Sequence, residues 1–104
     1  MLNIKEIEEN IEYYSKDRPF PSYARNLPAG LTEEEKEIVI NLSEKVKTAC
    51  VKYLKGEIDK LEISQIANSV MFGEHDPGFW YRILDEKFYN FLMDLGEIYV
   101  QNKR

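Results

Sequence analysis

The residues of this chain that could carry chemistry are few and scattered. His75 stands between Glu74 and Asp76, and imidazole and carboxylate are both metal-ligand and proton-transfer groups. Consecutive side chains diverge, however, and the chain has one histidine, so packing of the imidazole on Trp80 is the expected role. Cys50 is the single cysteine. A thiol becomes a nucleophile only beside a base or in an electropositive setting, and Cys50 falls on an apolar helix face, which predicts a small buried hydrophobe. No nucleophile–base pair, glycine-rich phosphate loop or spaced ligand set is visible. The expectation is a protein that is not an enzyme and that needs no cofactor and no metal.

The elements that must position any site are helices. Asn3, Thr32, Asp59 and Asp76 each carry a side-chain oxygen that can accept from free N–H groups of a first helical turn. Glu6, Glu35 and Glu62 stand three residues after the first three of them, completing the capping-box pattern. Leu2 with Ile7, and Ile58 with Ile63, have the spacing of a hydrophobic staple, and Pro77 suits a first helical position. Apolar residues then recur at three- and four-residue steps: Ile4, Ile7, Ile11, Tyr14; Ile38/Val39, Leu42, Val46, Ala49/Cys50, Tyr53; Ile63, Ile66/Ala67, Val70/Met71; Trp80, Ile83/Leu84, Phe88, Phe91/Leu92, Leu95, Ile98/Tyr99. This predicts an all-α, bundle-like, compact four-helix domain spanning 1–104, with helices at about 4–16, 33–55, 60–72 and 77–101. Gly56 and Gly73 provide stops, and Gly96 is a weak point in the last helix. Residues 17–31 hold Pro19, Pro21, Pro28 and Gly30 and are expected to form a long proline-rich loop, pinned by Phe20, Tyr23 and Leu27.

Charge narrows the function classes. The chain carries a net −5, distributed unevenly: residues 1–37 and 57–104 each contribute −4, and residues 38–56 contribute +3. Both ends repel a phosphate backbone. There is no run of about 20 apolar residues and no basic segment leading into an apolar one at the start, so the expectation is a cytoplasmic protein without membrane association. The aromatic set on the last helix reads as core, with Tyr81 and Tyr89 at its sides as possible partner contacts.

What remains is a surface. Glu8, Glu9, Glu12, Glu33, Glu34 and Glu37, with Phe20 and Tyr23 from the loop, form the expected contact set for another protein with a basic surface, met by a monomer or a homodimer. In size, charge and helix content the chain is similar to bacterial immunity proteins and phage-encoded inhibitors; that resemblance implies docking on a partner and carries no particular residue. The alternative is a helix-turn-helix-like transcriptional regulator. Ser64-Gln65-Ile66-Ala67-Asn68-Ser69-Val70 resembles the first helix of such a motif, and Lys45, Lys47, Lys52 and Lys55 would form the phosphate contacts. The segment that would then enter DNA, Phe79 to Glu86, is aromatic and acidic, which disfavours nucleic acid as a partner.

Overall fold

The first four helices begin where side-chain oxygens can serve the free amides. In the computed structural model, which describes residues 3–99, Asn3 accepts from the Glu6 N–H at 3.1 Å and starts α1, Ile4–Tyr14. Thr32 and Glu35 form a reciprocal capping box at the start of α2, Glu33–Leu54, and Asp59 and Glu62 do the same for α3, Lys60–Met71. Asp76 accepts from the Phe79 N–H at 2.7 Å, with Pro77 at the first helical position of α4, Pro77–Ile83. The helices expected at 4–16, 33–55 and 60–72 are present and end one or two residues early. Leu2, one half of the first staple, lies outside the described residues. The β-branched run Ile38-Val39-Ile40 is helical, with Val39 buried and Ile40 about half exposed.

The helix expected at 77–101 is two helices. After Ile83 the chain turns extended at Leu84 (φ −89°, ψ 149°), and α5, Glu86–Leu95, starts from a new cap, Asp85, whose carboxylate accepts from the N–H groups of Lys87 and Phe88. The cause is the proline-rich segment. Its Ala24 forms an isolated antiparallel bridge with Leu84. The Arg25 N–H donates to the Ile83 carbonyl at 2.8 Å, and the Asp85 N–H donates to the Tyr23 carbonyl at 2.9 Å. Backbone groups that a continuous helix would use internally are thus taken by the loop. Gly96 closes α5, and Ile98 and Tyr99 are again helical; the expected helical residues 100 and 101 lie outside the described residues.

The segment expected as a plain loop at 17–31 is partly structured. Phe20–Ser22 form one 3-10 turn after Pro19, and Gly30 adopts φ 72°, the left-handed region that suits glycine. Phe20, Ala24 and Leu31 pack on the core, and Tyr23 enters it. The five α-helices, this turn and the helical Ile98 and Tyr99 make up the regular structure of the described residues, which contain no strand beyond the single bridge.

Packing follows a closed order. α1 lies on α2, α2 on α3, α3 on α5 and α5 on α1, with α4 attached to α5, within an envelope of 43 × 25 × 22 Å. α1 runs antiparallel to the second half of α2: the Tyr53 hydroxyl donates to Glu8 at 3.4 Å, and Asp17, just past α1, pairs with Lys47. The centre is aromatic. The Tyr14 ring stacks on Phe91 with centroids 4.9 Å apart and lies 5.0 Å from Phe88, which meets Tyr23 edge-on at 5.0 Å. Offset and edge-on pairs of this kind contribute about 0.5–1.5 kcal/mol beyond burial. Burial, and then the nearby Asp85 carboxylate, push the Tyr14 phenol well above its ordinary range. Ser64 and Asn68 of α3 both donate to the Gly96 carbonyl, at 2.5 and 3.1 Å, and tie the end of α5 to α3.

Candidate functional site

The two residues with reactive side chains are used in packing. The His75 imidazole stacks on Phe79 (centroids 4.2 Å, planes 20° apart) and meets Trp80 edge-on at 5.2 Å. The contact with Trp80 is the one the spacing anticipates, and the closer one with Phe79 is not. Cys50 is fully buried, and burial pushes its thiol up to about 12. Among the described residues, no group of three or more His, Cys, Asp or Glu side chains could hold a metal ion. None of their helices is long and apolar enough to cross a membrane.

The acidic contact set divides in space. Glu8, Glu9, Glu12, Glu33, Glu34 and Glu37 are all exposed. Glu8, however, lies beside Tyr53 near the end of α2, whereas Glu33, Glu34 and Glu37 occupy its start. The stretch of α2 from Glu37 to Tyr53 alone spans about 24 Å at the helical rise, so these acids form two patches and not one face. Local structure accounts for much of the second patch. Glu33 and Glu34 stand in the first turn of α2, where the helix dipole favours anions, and Glu33 also pairs with Lys36 at 3.3 Å. Phe20 is half buried against the core. Tyr23 corrects the sequence reading: it is 5 % exposed, packed on Tyr14 and Phe88, and its ring is not presented to a partner.

A different acidic surface lies at the seam of α1 and α5. Glu6 and Asn10, one turn apart on α1, come together with Glu86, Asn90 and Asp94, each one turn apart on α5, and with Asp85 and Phe91. These side chains line an open groove of about 480 Å³. Burial, then the neighbouring carboxylates of Glu97 and Glu6, raise the Asp94 pKa above the ordinary aspartate value. The groove's lysine, Lys87, has its ammonium 5.1 Å from the centre of the Tyr13 ring, which Arg18 also covers at 3.8 Å. Among the described residues that line the groove, four carboxylates stand against one ammonium, that of Lys87, which is turned toward an aromatic face, and this leaves an excess of negative charge on the lining. The signal was present in the sequence as the four-residue spacing of Glu86, Asn90 and Asp94. A tally of charge along the chain hides it, because the two rows come from opposite ends.

The lysines required by the DNA-binding reading are dispersed. Lys47 is held by Asp17, Lys55 caps the end of α2, and Lys45 and Lys52 lie along the α2/α3 seam with Ile66. This seam is opposite the acidic one in the packing order. The would-be recognition helix, α4, has seven residues, and its Arg82 is paired with Glu35. Tyr81 is about half exposed, edge-on to Tyr89 at 5.2 Å, with the Arg25 guanidinium 4.8 Å from its ring centre. No family model, no curated protein and no solved structure matches this chain.

Proposed function

We propose that this chain is a protein-docking module whose α1/α5 groove receives a basic segment of another protein. The observation that carries the reading is the collection of Glu6, Asp85, Glu86 and Asp94 in one groove, with Asp94 held partly desolvated among like charges. A lysine or arginine entering there would relieve that repulsion. The Asn10 and Asn90 amides beside the carboxylates can fix its orientation by hydrogen bonds. Such a surface accelerates encounter with cationic partners and weakens with salt. In this reading the chain works as immunity- and inhibitor-type proteins do, by occupying a partner, and performs no chemistry of its own.

The test is affinity capture at about 50 and 300 mM salt, spanning Debye lengths of roughly 14 and 6 Å. Three forms are compared: the unmodified chain, Glu6→Lys/Glu86→Lys, and Glu33→Lys/Glu34→Lys. All four substituted glutamates are exposed first-turn residues, so the helix-dipole cost of reversal is matched between the variants. A basic protein retained at low salt by the first and third forms and lost from the second is the expected result. Equal retention by both variants refutes the groove as the docking site.

A further inference from the structure

Away from the acidic seam, α2, the end of α3 and the turn before α4 enclose a second groove of about 610 Å³. This is within the size range of small-molecule sites. Trp80 is among the residues that line it. It is 4 % exposed, and its indole Nε1, itself buried, has no hydrogen-bond acceptor. A buried donor left unpaired is destabilising, a cost that an arriving acceptor would remove.

Other groups on the lining define what that acceptor belongs to. Lys45 places an exposed ammonium at the groove and has no ion-pair partner among the described residues. Asn41 adds an amide. Ile38 and Leu42 supply an apolar wall, and His75 lies edge-on to Trp80 in the turn between α3 and α4, held by its ring contacts. Glu74 is the groove's one carboxylate and disfavours a multiply charged anion such as a phosphate. We propose that this groove binds a small aromatic monocarboxylate. Its ring lies along the Ile38–Leu42 wall, its carboxylate meets Lys45 and Asn41, and one of its oxygens accepts from the Trp80 N–H. The chain's single tryptophan is therefore both ligand-contacting group and reporter.

The experiment titrates the full chain with sodium benzoate, following Trp80 emission and the single indole N–H resonance in a proton–nitrogen correlation spectrum. Benzyl alcohol and benzylammonium serve as neutral and cationic comparators. The proposal expects saturable changes in both signals with benzoate, an indole N–H moving downfield as it gains an acceptor, and affinity reduced about tenfold or more in Lys45→Glu, an exposed position where folding is not at stake. It is overturned if the response to benzoate is linear without saturation, if the indole resonance stays in place, if Lys45→Glu binds as well as the unmodified chain, or if benzylammonium binds as tightly.

Discussion

Replacing Asp85 by alanine separates the two-helix arrangement of residues 77–95 from a continuous helix by the sign of its effect. In the structure Asp85 is the cap of α5, accepting from the Lys87 N–H at 3.1 Å and the Phe88 N–H at 3.4 Å. Loss of an aspartate cap to alanine costs about 0.5–2 kcal/mol, with ~1 typical. The backbone bond from the Asp85 N–H to Tyr23 is retained in the variant, so that bond does not contribute to the change. Were residues 77–95 one helix, position 85 would be interior, and alanine would be the better residue by up to about 0.7 kcal/mol. Urea unfolding followed by circular dichroism decides the matter. With a slope of about 1–3 kcal/mol/M, the midpoint of Asp85→Ala falls by roughly 0.5 M, and the melting temperature falls by about 4–8 °C per kcal/mol lost. Asp85→Asn, an equally good cap, stays within a few tenths of a kcal/mol of the parent. An Asp85→Ala variant as stable as the parent, or more so, refutes the capped break.

Four further outcomes follow from the geometry. Gly96→Ala is expected to gain less stability than the roughly 1 kcal/mol that helix propensity alone gives, because the added Cβ would lie 2.3 Å from the Asn68 Oδ1 and displace that side chain from the Gly96 carbonyl, which Ser64 still serves; a melting temperature raised by the full amount, about 4–8 °C, would contradict this. Ser64→Ala removes the buried partner of the same carbonyl and is expected to lower stability by about 1–2 kcal/mol, measured by the urea midpoint. The Asp94 carboxyl has a folded pKa above its unfolded value, so the folded state holds its proton more tightly; stability from this group is greatest below the unfolded pKa near 3.8 and declines as pH rises through the raised folded value. Asp94→Asn should therefore gain stability over the parent at pH 7 and lose that advantage near pH 3, and a gain that is the same at both pH values would show that charge is not the cause. Finally, native Cys50 should resist a thiol reagent at pH 8 and react only at the rate of opening, because its thiol is buried and its pKa lies near 12.

Much of the architecture is legible from local chemistry. The caps at Asn3, Thr32, Asp59 and Asp76 set the starts of four helices, and the apolar period along α2 picks out Val39, Leu42, Val46, Ala49 and Cys50, all buried. The break at Leu84 escapes that logic because Ile83/Leu84, Phe88, Phe91/Leu92 and Leu95 keep the helical period straight through it, and all are buried in the same core. A signal was nonetheless present: Leu84 and Tyr89 flank Asp85 with the same staple spacing that Ile58 and Ile63 keep around Asp59. What no local rule supplies is the third partner, the Tyr23–Arg25 backbone that bonds Ile83 and Asp85 across some sixty residues of chain.

The candidate surface is less legible for a related reason. Reading glutamates along the chain favours Glu8, Glu9 and Glu12 together with Glu33, Glu34 and Glu37, which α2 holds well apart. The denser cluster needs the contact of α1 with α5, a pairing of the first described helix with the last. Tyr23 illustrates the same limit: an aromatic in a proline-rich segment reads as a loop anchor or a contact residue, and here the Ala24–Leu84 bridge draws it into the interior.

Mapping where a basic partner lands is the most direct measurement of the docking account. With the captured protein added to the isotope-labelled chain, the side-chain amide resonances of Asn10 and Asn90 and the backbone signals of residues 6–10 and 86–94 should shift first and reverse on adding salt. Shifts confined to the start of α2 around Glu33–Glu37, or an absence of shifts along the α1/α5 seam at saturating partner, would contradict it.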